Sequence, residues 1–410
     1  MKKVSLIAVL FAGSVVSVKC AGTEVDPRLK VLAYLKHQQM ERLAIELHLD
    51  VPAEARKFFK AAEAGDCTAV SNTYARIQQL TGQSTSSIQM PGYPSVLNVP
   101  IHETRGAYEF CDWDSLMLLR YARGILDSIP NGSVYFGGTD PGRFLITMFL
   151  DVVITKSPDV TVLTPKFIIT QNALIDTRYV EYLQLTRGDR LWLPSTNDIE
   201  RAFHGYASEL RERQGRGEQL GPNEQLDSSN HVHGVAAAMN INGILTKWIF
   251  DRNKDKHPFF VEESYVIPWM YPYMEPHGLI LKLNNEKLAN LDPAAIVCDR
   301  EFWAKLSKEL LADPKFLANE GERKTYSKMR SAIGGLYMYR KLWDEAEAAY
   351  KQAITLCPGS PEASFRLVQL YVEQGRRDEA VAVLEQLQKL DLGNDKIAAA
   401  IRQIRSLPRE

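Results

Sequence analysis

Two stretches near the C-terminus of this 410-residue chain align without a gap at an offset of 34 residues. They are "GGLYMYRKLWDEAEAAYKQAITLCPGS" (334–360) and "VQLYVEQGRRDEAVAVLEQLQKLDLGN" (368–394). Tyr337 falls on Tyr371, Ala346 on Ala380, Tyr350 on Leu384, Ala353 on Leu387, and "WDEA" on "RDEA". A repeated supersecondary unit of this length cannot bury its apolar face alone, so neighbouring copies must stack and share a core. The spacing predicts two antiparallel helices per copy. Gly334 and Ala346 are small where those helices cross closely, and Tyr337 and Tyr350 are large where neighbouring copies interlock. Pro358 ends the second helix of the first copy. "DKIAAAIRQIRSL" (395–407) predicts a capping helix.

This period and small/large pattern resemble the tetratricopeptide repeat, over about 327–394 of a helical region spanning 299–407. The chain departs from that pattern at Arg330 and Ser364, where a tryptophan is typical, at Val368 for glycine and at Leu392 for proline. Two copies and a cap are few for a free-standing solenoid, so the array is expected to pack on the helices at 300–330. The resemblance implies a surface that binds a protein or peptide partner. Polar residues of the first helix in each copy, Arg330 and Gln369, are the contacts it suggests. The plainer reading makes the short array an intramolecular brace.

Upstream, apolar spacing predicts helices over 26–80, with a junction at Gly65-Asp66 where glycine ends one helix and aspartate caps the next. A turn-rich linker follows at 81–100. From about 105 to 290 strand-like runs alternate with helical ones. The strands are read at 132–137, 159–169, 190–194, 259–265 and 278–284, and a charged loop at 211–230. Alternation of this kind predicts an α/β domain on a mainly parallel sheet, followed by the all-α repeat array. The last two strands are read as a possible antiparallel pair.

The segments 129–184 and 257–284 resemble the soluble tail of a family of bacterial multi-pass membrane proteins of unknown function, related to protein O-mannosyltransferases. In that family the tail couples a strand-turn-helix segment to tetratricopeptide repeats. The membrane part, to which the transferase chemistry belongs, is missing from this chain. The resemblance therefore supplies no catalytic residue, and it suggests a membrane protein as partner.

"GGTDPGRF" (137–144) lacks the Lys-Ser/Thr of a phosphate loop and the glycine spacing of a dinucleotide fold. Thr139 or Asp140 is suited to cap the following helix, with Pro141 in its first turn. A ligand reading would use Thr139, Asp140 and Arg143 at the helix N-terminus, with Trp269 and Tyr271 as stacking surfaces. "DWD" (112–114) reads as helix capping, and "HVH" (231–233) lacks the further ligands a metal needs. No catalytic set, metal site or cofactor motif is assigned.

Lys2 and Lys3, then an apolar run at 4–18 and small residues, predict a secretory signal over 1–20 and an exported, periplasmic protein. Lys19 argues against lipidation of Cys20, because small residues normally precede a lipidated cysteine. Export permits disulfides among Cys67, Cys111, Cys298 and Cys357, and three full pairings remain open. A formal net charge of −1 gives no basic field for nucleic acid or anionic membrane. The leading expectation is an exported, non-enzymatic binder of a protein or peptide. The alternative is a ligand-binding or enzymatic α/β domain associated with glycosylation.

Overall fold

The computed structural model describes residues 25–81, 95–156, 166–188, 190–221, 224–226, 232–263, 265–391 and 393–406. The leader and Cys20, most of the 81–100 linker, residues 159–165 and His231 lie outside them. The chain divides into two compact units, one of residues 22–274 and 282–288, the other including 275–281 and 289–410. Among the described residues no helix is long and apolar enough to cross a membrane.

The first unit is mostly helical. Helices α1 (Pro27–Glu46), α2 (Ala53–Ala64) and α3 (Cys67–Thr81) open it, and Gly65 ends α2 in the left-handed region with φ of 79°. Asp26 and Asp66 accept backbone N–H bonds at the starts of α1 and α3. Next come α4 (Asn98–Tyr108) and α5 (Ser115–Leu126), the latter capped by Asp114 of the "DWD" stretch. The linker thus gives way to helix by residue 98, and Val99, Ile101 and Ala107 are in the core.

Short strands and helices then alternate: β1 (Val134–Gly137), α6 (Ile146–Lys156), β2 (Phe167–Thr170), α7 (Thr177–Arg187), α8 (Thr196–Gly215), β3 (Gln225–Leu226), β4 (Val232–His233), α9 (Val235–Asn253), β5 (Phe259–Val261), β6 (Met274–His277) and β7 (Ile280–Leu283). The main sheet has the order β2-β1-β5-β7-β6. Strand β1 pairs in parallel with β2 and with β5. Only two residues join β6 to β7, a connection that parallel strands do not allow. The sheet is therefore mixed, which corrects the expectation of a mainly parallel one. Strands β3 and β4 form a separate antiparallel pair.

Two further readings are corrected. Residues 190–194 are not a strand. Leu191 and Leu193 are buried, but the Asn253 side chain binds both the N–H and the C=O of Trp192, so no neighbouring strand is needed. The charged stretch from 211 is still α8 up to Gly215, held from its start by a Ser195–Asp198 capping box.

A buried charge network ties α1 to the rest of its unit. Lys36 is 2% exposed and pairs with Glu103 of α4 at 2.5 Å and Asp151 of α6 at 2.9 Å. Burial works against its charge, but Asp151 and Glu103 outweigh burial and hold its pKa well above the usual lysine value.

The second unit carries α10 (Pro293–Leu311), α11 (Pro314–Ala318), α12 (Glu320–Tyr339), α13 (Trp343–Leu356), α14 (Pro361–Glu373), α15 (Arg377–Leu390) and α16 (Asp395–Ser406). The two repeats are α12–α13 and α14–α15, and α16 buries Ile397, Ile401 and Ile404 as the cap. The turn within each repeat needs one left-handed residue at the same register. Gly375 supplies it with φ of 73° and Lys341 with φ of 59°, 34 residues apart.

Gly334 and Ala346 sit at the crossing of α12 and α13. A Cβ on Gly334 would lie 2.6 Å from Cε1 of Tyr350, whose ring is 1% exposed and has no room to retreat. Gly334→Ala is predicted to destabilise the chain by about 1–3 kcal/mol through overpacking. Urea denaturation should show a lower midpoint at an unchanged slope.

Candidate functional site

Each first helix of the array is joined to an earlier helix, α12 to α10 and α14 to α13, by a tyrosine, a carboxylate and an arginine. Tyr337 of α12 donates to Oδ2 of Asp299 on α10 at 2.7 Å, and Arg330 Nη1 donates to the same oxygen at 2.7 Å. Tyr371 of α14 donates to Oε1 of Glu347 on α13 at 2.9 Å, and Arg376 forks onto the same carboxylate. Helix α10 is thus anchored to the first helix of the array through side chains, and it also meets α13 through the Gln352 amide, which donates to Trp303 O. Helix α10 falls among the helices at 300–330 on which the array is expected to pack, but the Asp299 anchor carries no repeat signal.

The two junctions differ in burial. Side chains of Asp299 and Arg330 are 1% and 4% exposed, those of Glu347 and Arg376 are 16% and 33%. Arg330 stands where the repeat pattern has an aromatic, and its guanidinium lies 5.3 Å from the ring centroid of Trp303 on α10. The aromatic surface is thus supplied by the neighbouring helix. Arg330 is an internal residue, whereas Gln369 is exposed on α14 and bonds Glu373 at 3.1 Å.

Arg376 above all, then Lys351 and Tyr371, lower the Glu347 carboxyl to about 2, against the pull of burial. A depressed carboxylate pKa stabilises the fold above the unfolded value and loses that contribution as pH falls through the folded value. The wild type should therefore lose stability between the ordinary glutamate range and pH about 2, and Glu347→Gln should flatten that limb of a stability–pH curve.

The turn after β1 is organised by a residue far away in sequence. Glu262, just past β5, is 2% exposed. Its carboxylate accepts from Thr139 N at 3.1 Å, Thr139 Oγ1 at 2.7 Å and Tyr121 OH at 2.9 Å. Burial first, and then Glu262, push the Tyr121 and Tyr135 hydroxyls well above the usual tyrosine pKa. A Cβ on Gly142 would lie 1.4 Å from Glu262 Oε2, and one on Gly137 would lie 2.8 Å from Gly142 O. Close backbone approach explains why this stretch is rich in glycine.

Thr139 Oγ1 also accepts from Gly142 N at 3.1 Å, at the start of a π-helical turn, Pro141–Leu145. Asp140 makes no capping bond; it is exposed and pairs with Arg143. Of the two proposed caps, Thr139 is the one used. Arg143 lies 4.4 Å from the centroid of Phe144, near His102. Burial, and then Arg143, lower the His102 imidazole to about 3.

Tyr271 donates to Glu263 at 2.5 Å, and Trp269 donates to Thr246 Oγ1 at 3.2 Å. Consecutive glutamates after β5 thus hold Thr139 and Tyr271. Trp269 and Tyr273 pack on Phe250 of α9 at centroid distances of 5.3 Å each, with Lys247 5.5 Å from Trp269. Among the described residues no group of histidine, cysteine and acidic side chains is arranged to hold a metal ion. Cys67, Cys111, Cys298 and Cys357 form no disulfide.

Residues 338–404 match the model of the tetratricopeptide repeat. The match runs from the end of α12 through α13, α14 and α15 into the cap. The chain is similar to the crystal structure of NprR in complex with its cognate peptide NprX, at 10% identity, covering 93% of this chain and 81% of that one. The TM-score of 0.26 is too low to bear on fold or function. No curated protein matches the sequence.

Thr139→Val is predicted to cost about 1–3 kcal/mol, because it removes a donor from a buried carboxylate. Asp140→Ala should stay within about 0.5 kcal/mol of wild type, as expected for a surface change. Thermal denaturation of the two variants separates these outcomes.

Proposed function

We propose that the chain is a non-enzymatic binder whose repeat array recognises a protein or peptide partner. The observation that carries this reading is the stacked repeat itself, matched over 338–404, with polar first-helix residues such as Gln369 left exposed. Stacked helical repeats present extended surfaces suited to binding another chain. The leader read in residues 1–20 makes that partner an exported or membrane protein, and the likeness to membrane-protein tails points the same way.

The alternative reading is a ligand site built on Thr139, Asp140, Arg143, Trp269 and Tyr271. A ligand anion at that turn would compete with the Glu262 carboxylate for the Thr139 donors, which is why we favour the array.

The test is site-specific photo-crosslinking of the full chain in its native host. A benzophenone side chain at Gln369 should give a discrete crosslinked product. The same group at Glu385, exposed on the second helix of that repeat, should not. Identical products at both positions, or none at Gln369, would contradict the proposal.

A further inference from the structure

Between α10 and α13 lies an open groove of about 400 Å³. It is formed on the second-helix side of the array, whereas Gln369 is on the first helix of its repeat, so it goes beyond the surface proposed above. Arg330, reaching through from α12, contributes to its lining. Two of the three guanidinium nitrogens are committed, Nε to Gln352 Oε1 at 2.7 Å and Nη1 to Asp299 Oδ2 at 2.7 Å. Among the described residues Nη2 has no protein partner, although the residue is only 4% exposed.

The other polar groups of the lining near Arg330 are largely committed. The Gln352 amide nitrogen donates to Trp303 O and to Ser307 Oγ, both at 2.9 Å, and its oxygen already takes Arg330 Nε. The Ser307 hydroxyl, having accepted that bond, keeps its own proton to give. On the groove side, donors therefore remain on Arg330 Nη2 and Ser307, while the unpartnered acceptor beside Arg330, Asp299 Oδ1, belongs to a residue outside the lining. At the rim Arg300 reaches Glu345 at 2.5 Å, with side chains 62% and 25% exposed. Asp299, 1% exposed, balances Arg330 from behind. The groove itself thus presents two arginines and one glutamate.

We propose that this groove is a subsite for an acidic side chain of a partner peptide. The incoming carboxylate accepts from Arg330 Nη2 and Ser307, and takes the place of Glu345 on Arg300, while Glu345 turns to solvent. Charge-assisted bonds to planar guanidinium groups are the strongest that such donors make. Ala304 and Ala348 are the small residues that leave room for the ligand's stem.

The full chain, labelled with nitrogen-15 in arginine and glutamine, is titrated by NMR with acetyl-Ala-Ala-Glu-Ala-Ala-amide. Its glutamine counterpart and glutarate serve as comparison probes. The glutamate peptide should shift the Gln352 amide and Arg330 Nε signals, and bind at least fivefold more tightly than the glutamine peptide. Ala348→Glu, a change at an exposed position, should abolish binding without lowering the melting temperature. Arg300→Ala should weaken it several-fold. Equal binding by the two peptides, or unchanged binding in Ala348→Glu, would overturn the site. Glutarate binding as well as the glutamate peptide would overturn the assignment to a peptide. Neither result depends on the Gln369 crosslink, so failure here and failure of the proposed function are distinguishable.

Discussion

The buried carboxylate of Asp299 holds the start of the repeat array together. It accepts from Tyr337 and Arg330 through one oxygen, and those two residues lie on the first helix of the first repeat. An ion pair this buried is costly to desolvate, and removing one partner would leave a charge stranded in the core. Its value lies in register: α12 meets α10 in the one position where Arg330 also rests on Trp303 and reaches Gln352. The second junction repeats the logic with Glu347, Tyr371 and Arg376 in a wetter setting, where the net contribution is smaller and depends on pH.

A second internal carboxylate plays the corresponding part in the unit that holds β1, β2 and β5. Glu262 fixes the corner after β1 by accepting from both the backbone and the hydroxyl of Thr139, and glycines at 137 and 142 make room for the approach. Donors that other folds turn toward a ligand are here turned toward the chain's own side chain. The region that looked most like a ligand cradle is therefore tied into the core, and the exposed polar surface of the array becomes the stronger basis for function.

Local signals in the sequence were legible. The repeat offset, the Gly334–Ala346 crossing, the Gly65 terminus of α2 and the Asp114 cap can be read from neighbouring residues. Partners distant in sequence were not. Thr139 and Glu262 are 123 residues apart, and Arg330 and Asp299 are 31 apart with no shared periodicity. Strand β6 contains Pro276 and lies outside the strands read from the sequence, yet proline is tolerated on an edge strand, which is where β6 lies. The apolar run at 190–194 reads as strand because side-chain alternation does not reveal that Asn253 takes the backbone bonds of Trp192.

Asp299 locks α10 to the first helix of the repeat array. Native-state hydrogen exchange of the full chain, in wild type and in Asp299→Asn, tests this most directly. The account predicts that core amides of α10, α12 and α13 exchange with one common opening free energy in wild type. It also predicts that the substitution lowers this value in all three helices together. Exchange in α10 that is already independent of α12 in wild type, or protection in α12 and α13 that is untouched by Asp299→Asn, would contradict it.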